Sequence, residues 1–243
     1  MGMLRIVLVD WAKFNLKTER GMGGDWFFKK HGVAALLSQL KTRKTSSFRL
    51  VLVVNGECLS NEYSYLMHEY TFIETIIYRV SNCGLDWGAY DAGFNYLKKQ
   101  AHDGKVIFMN SSCLGPYNDD WIEPYANAFE SAPTVGVVGA TYCGYNIRKK
   151  EGAFMPHIQS YFLYTSMPIL ERVYPKGLPY PTSTDKTAVI EEGEIGFSTG
   201  LLQKGYAIKA LQHQFSYSQG DLWQYFDKKI DPNFFEGSRQ FYI

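Results

Sequence analysis

Residues 75–109, TIIYRVSNCGLDWGAYDAGFNYLKKQAHDGKVIFM, carry a β-branched run, a turn with two glycines, an amphipathic stretch and a second β-branched run. Thr75–Val80 and Lys105–Met109 read as strands. Trp87–Gln100 between them reads as a helix, because Tyr90, Phe94 and Leu97 return to one face at helical spacing. Further strands are expected on either side, at Arg5–Val9, Arg49–Val54 and Val135–Val138, and Trp26–Leu40 reads as a second amphipathic helix. Such alternation predicts an α/β fold, a largely parallel sheet covered by helices on both faces. The second half changes character: a strand at Ile158–Tyr164, a helix at Met167–Tyr174, a proline-rich loop at Pro175–Pro181, a helix at Glu191–Lys204 and a short strand at Ala207–Leu211. No repeat or low-complexity linker divides the 243 residues, so a single domain is expected.

Composition narrows the function. Lys and Arg number 25 against 24 Asp and Glu, a formal net charge of +1 with no long basic block, which argues against nucleic acid as a partner. The apolar run Leu4–Val9 contains Arg5 and is closed by Asp10; it is too short for a signal-peptide core or a transmembrane segment. Cys58, Cys83, Cys113 and Cys143 form no C-x-x-C pair, the pattern of reduced cytosolic thiols. Aromatic residues make up 16% of the chain, so large flat surfaces are in demand.

In parallel sheets the ligand sits beyond the carboxyl ends of the strands. The residues there are Asp10 and Trp11, Asn55 and Gly56, Ser81 to Asp86, and Asn110 to Gly115. Gly56, Gly84, Gly88 and Gly115 permit close backbone approach to an anion. Asn82-Cys83-Gly84-Leu85-Asp86-Trp87-Gly88 joins a strand to a helix, where free N–H groups can face a phosphate; equally, it is a plain turn in which Asp86 caps the helix. No G-x-x-x-x-G-K-[ST] occurs, and the glycines at Gly21, Gly23 and Gly24 lack the spacing of a dinucleotide fingerprint. Gly196-Phe197-Ser198-Thr199-Gly200 has the form of a nucleophile elbow, yet no acid lies between Ser198 and His213, the sole later histidine, so a serine triad in that order cannot be built.

Four motifs in register carry a resemblance. They are Asn82-x-Gly84-x-Asp86-x-Gly88-Ala89-Tyr90; Phe108-Met109-Asn110-Ser111-Ser112-x-x-Gly115-Pro116; His157-x-Gln159-Ser160-Tyr161-Phe162; and Glu194-Ile195-Gly196-x-Ser198 with Gly205-Tyr206. Over about residues 80 to 206 the chain resembles the rhamnan synthesis protein F type of glycosyltransferase. The resemblance implies a GT-A fold, a nucleotide-diphospho-sugar donor (a dTDP- or UDP-sugar, with rhamnose suggested by the family) and a glycan or glycolipid acceptor in polysaccharide biosynthesis. On that basis residues 1–115 would form the donor half, 116–215 the acceptor half and 216–243 an aromatic tail. The setting implied is the cytosol or the cytoplasmic face of a membrane.

Sugar transfer must stabilise a departing diphosphate and deprotonate an acceptor hydroxyl. The donor-side residues expected are Asp10, Asn55, Asn82, Gly84, Asp86, Gly88, Asn110, Ser111 and Ser112. Many GT-A enzymes hold a divalent metal, Mg2+ or Mn2+, on an Asp-x-Asp at the end of the central strand; here that place is taken by Asn110-Ser111-Ser112, which has no carboxylate. Three arrangements remain open. The amide and hydroxyls bind donor oxygens directly, a metal is held with help from Asp86 or His213, or loop N–H groups and cations such as Arg148 and Lys149 meet the charge. Glu194 matches the position of the base in inverting relatives, whereas Glu191 and Glu192 read as first-turn helix acids. His157, Gln159 and Tyr161 share one face of the expected strand and could line the acceptor cleft. The tail, with Trp223, closes over the sheet, contacts a partner subunit or stacks on a glycan; Trp11, Trp87 and Tyr161 are further flat surfaces near the strand ends. The rival reading is a carbohydrate-binding module that keeps the fold without catalysis.

Overall fold

Leu4–Trp11 (β1), sequence LRIVLVDW, is buried along most of its length, and a strand so covered on both faces belongs at the centre of a parallel sheet. The computed structural model describes residues 3–12, 20–21, 30–43, 47–57, 63–113, 115–116, 118–145, 154–211 and 215–217. After β1 come a short ladder of Arg20–Gly21 (β2) with Lys30–His31 (β3), the helix Val33–Thr42 (α1), Phe48–Asn55 (β4), the short helix Leu66–Glu69 (α2), Ile73–Arg79 (β5) and the helix Leu85–Lys99 (α3). Lys105–Asn110 (β6), the helix Glu123–Glu130 (α4), Val135–Gly139 (β7), Tyr142–Tyr145 (β8), Phe154–Ile158 (β9) and Phe162–Ser166 (β10) follow. The last stretch holds Met167–Val173 (α5), Lys186–Ala188 (α6), a wide helical turn at Val189–Ile195, Gly196–Gln203 (α7), Ala207–Ala210 (β11) and Phe215–Tyr217 (β12).

Among the described residues, eight strands form the main sheet in the order β5-β4-β1-β6-β10-β7-β11-β12. β1 is parallel to both β4 and β6, and β4 to β5. β10 runs antiparallel to β6 and β7, and β12 antiparallel to β11. The chain builds outward from β1 through β4 to β5, then returns through α3 to β6 on the other side of β1. That reversal opens a crevice at the carboxyl ends of β1 and β6.

The two faces of the sheet bury separate cores. Ile6, Leu8, Leu50 and Leu52 pack against Leu36 and Leu37 of α1, while Val7, Val9, Val51 and Val53 pack against Tyr90, Phe94 and Leu97 of α3. Gly93 lets α3 lie directly on β1, since a Cβ there would come within 2.4 Å of Val7 Cγ1.

Three expected elements differ. The strand expected over Ile158–Tyr164 is two strands: β9 ends at Ile158 and pairs with β8, and β10 begins at Phe162 and pairs with β6. The break between them is held by distant groups. Tyr161 O accepts from Asn110 N (3.3 Å) and from Cys113 Sγ (2.8 Å), and Ser160 N donates to Glu194 (3.1 Å). The helix expected to begin at Trp26 begins after Gly32, because Lys30–His31 is committed to the ladder with β2. The helix expected at Glu191–Lys204 starts earlier, at Lys186, where Asp185 caps it by accepting from Ala188 N (2.8 Å), and it widens over Val189–Ile195.

Candidate active site

Val9 lies beside Asn110 in the β1–β6 ladder, so Asp10 and Asn110 leave the sheet side by side at the crevice. Asp10 is buried and accepts a hydrogen bond from Tyr63 OH (3.0 Å). Asn110 sits between two partners. Its Nδ2 donates to Asp86 Oδ2 at 2.7 Å, and its Oδ1 accepts from Ser112 N (3.1 Å) and from the Ser112 hydroxyl. Ser111 N donates back to Val9 O (2.8 Å), which fixes the strand end from which this turn departs.

Asp86 does not cap its helix. Gly84 holds the cap position in a left-handed conformation (φ +72°), and Asp86 is the second residue of α3. Leu85, between them, also has positive φ (+47°), a strained backbone for a branched side chain. A network of side chains holds this turn. Asn55 Nδ2 donates to Leu85 O (3.0 Å), Asn55 Oδ1 accepts from Arg79 Nη1 (2.7 Å), and Arg79 Nη2 donates to Cys83 O (3.2 Å). Gly88 makes room for that guanidinium, since a Cβ there would lie 2.7 Å from Arg79 Nη2. Gly84 N is spent on Ser183 O (2.8 Å), and Tyr180 covers the glycine. Asn55, Gly84 and Gly88 thus shape the turn from within, Asn82 O accepts from Leu85 N (3.0 Å), and Asp86 is the side chain the turn delivers to the crevice.

Asp86 is pushed up to about 6, first by burial and then by the negative charge of Glu194; the Asn110 hydrogen bond and the charge of Lys186 oppose this. The Glu194 carboxylate is therefore near enough for its charge to act on Asp86. It stands on the wide turn, a geometry that recurs at functional sites. Gly193, just before it, lies flat on the buried Trp87 ring, where a Cβ would come within 2.4 Å of Cδ1. One carboxylate oxygen accepts from Ser160 N (3.1 Å), and the other lies 3.7 Å from His157 Nε2.

Residues 50–226 match the family described as Rhamnan synthesis protein F. The chain belongs to that family. A search of curated proteins found no match. Among solved structures, a mannosyltransferase from Pyrobaculum calidifontis in complex with GDP-Man and Mn2+ superposes with a TM-score of 0.54 at 12% identity, over 86% of this chain and 55% of that one. TarS 1–349 from S. aureus, in complex with UDP-GlcNAc, gives a TM-score of 0.53 at 14% identity, over 89% and 58%. The chain thus spans somewhat more than half the length of either neighbour, and at these identities the likeness is one of fold: the GT-A fold of glycosyltransferases.

Within this member of the rhamnan synthesis protein F family, His157 is buried beside Glu194. Gln159 and Tyr161 both turn toward Thr141: Thr141 Oγ1 donates to Gln159 Oε1 (2.6 Å) and meets the Tyr161 hydroxyl. Trp87, expected as a flat surface at the strand ends, is instead wholly buried, its ring 4.9 Å from that of Phe197, and Tyr161 is buried too. Ser198, the centre of the elbow-like motif, is in the middle of α7 and accepts from Ile158 N (3.0 Å), a structural hydroxyl. Arg148, Lys149, His213 and Trp223 lie outside the described residues.

Sequence reasoning did not single out Arg79, Lys186 or the Ser160 N–H. Arg79 ends a strand and Lys186 follows the Asp185 cap, signals of place but not of partner. The Ser160 N–H belongs to a break in β pairing that the side-chain alternation conceals.

Proposed function

We propose that this domain transfers a sugar from a nucleotide diphosphate to a hydroxyl of a glycan acceptor in polysaccharide synthesis, with inversion and with Glu194 as the base. The observation that carries the reading is the Asp86–Asn110 pair, 2.7 Å apart at the reversal of strand order, with the Glu194 carboxylate close enough to raise Asp86. In the reaction the acceptor oxygen forms a bond to the anomeric carbon as the bond to the diphosphate oxygen breaks. The electron pair leaves with the diphosphate, and the acceptor proton passes to Glu194. Ser160 N fixes one oxygen of that carboxylate, and two negative side chains beside the anomeric centre favour the positive charge that develops there. Nucleotide-sugar complexes of the fold neighbours and the family's description support such a donor, with rhamnose as the sugar.

Among the described residues no three His, Cys, Asp or Glu side chains come together to hold a metal ion. A divalent ion arriving with the donor would be held here through Asp86, whose raised carboxyl a cation would relieve. Such an ion would neutralise leaving-group charge. No helix among the described residues is long and apolar enough to cross a membrane, and action in the cytosol or at a cytoplasmic membrane face accompanies this reading.

A thermal-shift series with dTDP-, UDP- and GDP-sugars, with and without Mg2+ or Mn2+, tests donor binding, since a ligand of the folded state raises its melting temperature. Silence toward all of them sinks the transferase reading and leaves the binding-module alternative. Glu194→Gln should keep the donor-induced shift and lose transfer; retained turnover removes Glu194 as base.

A further inference from the structure

Asp86 and Tyr90 stand four residues apart on α3, so they share one face of the helix. From that face Asp86 meets Asn110, and Tyr90, wholly buried, reaches the break between β9 and β10. There its hydroxyl donates to Ser160 O at 2.8 Å. Burial above all, and the negative charge of Asp86 after it, push the Tyr90 hydroxyl well above the ordinary range, so it stays a donor.

Ser160 N, which donates to Glu194 Oε1 at 3.1 Å, belongs to the peptide that joins Gln159 to Ser160. The peptides on both sides of it are anchored. Before it, Gln159 N donates to Thr141 O (3.2 Å); after it, Ser160 O accepts from Tyr90. One peptide further on, Tyr161 O accepts from Asn110 N (3.3 Å) and from Cys113 Sγ (2.8 Å). A rigid peptide unit flanked by two fixed ones has little room to rotate. The contacts close a ring, from Asp86 to Asn110, on to Tyr161 and Ser160, and through Tyr90 back along α3. Both carboxylates are thus tied to one helix face, Asp86 directly and Glu194 by way of Ser160.

We infer that Tyr90 is a positioning residue for Glu194: its hydroxyl orients the Ser160 main chain, the Ser160 N–H orients the carboxylate, and α3 thereby sets where Glu194 stands relative to Asp86. This rests on Glu194 being the base. Tyr90 acts on main chain alone in this scheme, so its hydroxyl matters to transfer and not to donor binding.

Tyr90→Phe deletes that hydroxyl and keeps the ring against Phe108 (centroids 5.3 Å apart) and Trp87 (5.9 Å). With dTDP-rhamnose as donor and release of dTDP as the signal, kcat should fall at least about tenfold, as expected when a base is turned out of line, while the Kd of dTDP-rhamnose stays within about twofold. A kcat within about twofold of wild type overturns the inference. So does a matching loss of donor affinity, which would make the hydroxyl a support of the donor turn. Full kcat in Tyr90→Phe beside an inactive Glu194→Gln sinks the positioning role and spares the base; full turnover in Glu194→Gln removes both.

Amide hydrogen exchange needs no turnover. In the wild-type protein the Ser160 N–H, although it lies between two strands, should exchange at least about a hundredfold more slowly than in an open peptide. In Tyr90→Phe it should exchange at least about tenfold faster while the amides of β1 keep their protection, which separates a local release from a general loss of stability. An unprotected Ser160 N–H in wild type, an unchanged one in Tyr90→Phe, or an acceleration shared by β1 overturns the inference. Should Tyr90→Phe fail to fold, the wild-type measurement decides.

Discussion

Asp86→Asn should make the folded protein more stable at neutral pH while weakening donor binding. The Asp86 carboxyl is pushed from 3.8 up to about 6, by burial first and by Glu194 second. Because the folded value lies above the unfolded one, the contribution of this group to stability is complete below the unfolded value and is lost as pH rises through the folded value. The displacement of about two units corresponds to about 3 kcal/mol at 1.36 kcal/mol per unit. Part of this gain is forfeited on substitution, since a carboxylate in the first turn of α3 favours the helix N-terminus by ~0.3–1 kcal/mol. The Asn110 hydrogen bond survives, because an asparagine carbonyl also accepts. The net expectation is a gain of about 2 kcal/mol at about pH 8 and close to none at about pH 4, read from urea unfolding of both proteins at each pH. Equal stability differences at the two pH values would refute the charge argument. A stabilised variant that still binds nucleotide sugar as wild type does would refute the functional placing of Asp86.

Arg79→Met removes the donor to Asn55 Oδ1 and Cys83 O at the foot of the turn, and should lower stability by about 2–3 kcal/mol in chemical unfolding; an unchanged midpoint would show that the turn holds without it. Gly84→Ala must adopt φ +72° and bring a Cβ within 2.4 Å of Tyr180 Cδ2, so a loss of at least about 1–2 kcal/mol is expected by thermal melting. Gly193→Ala drives a methyl into the buried Trp87 ring, with a cost of about 1–3 kcal/mol and a fall in transfer rate, since Glu194 is the next residue; full stability with full rate contradicts that packing.

The parallel strands were legible because burial on both faces makes them continuous β-branched runs, as in RIVLV of β1 and RLVLV of β4. The break at Gln159–Tyr161 was not. The alternation of side chains continues across it, no glycine or proline marks it, and the groups that hold it, Asn110, Cys113 and Glu194, are brought there only by the finished sheet. Asp86 and Asn110 could each be singled out from their places beside a turn and at a strand end. Their mutual hydrogen bond could not be read, because it depends on where α3 lies over β1, which Gly93 settles through the close approach of Val7. The wide turn beneath Glu194 was invisible for a similar reason: helical periodicity on either side is intact, and its contact with Trp87 spans a hundred residues of chain.

The absence of a carboxylate in Asn110-Ser111-Ser112 takes on a different meaning beside Asp86. The end of β6 carries no acid, yet Asn110 Nδ2 holds the Asp86 carboxylate, supplied by the helix that precedes the strand. The negative charge that an acidic strand-end motif would bring is therefore present in the crevice by another route. Glu194 raises the cost of charging Asp86, and the Asn110 hydrogen bond and the charge of Lys186 offset that cost only in part, since Asp86 stays at about 6. A fold that keeps two such carboxylates together at the reversal of its strand order sacrifices stability there. Under the transferase reading positive charge arrives with the substrate: a cation accompanying the donor would relieve Asp86, and the anomeric carbon gains positive character in the transition state, so a carboxylate that is costly at rest becomes favourable there.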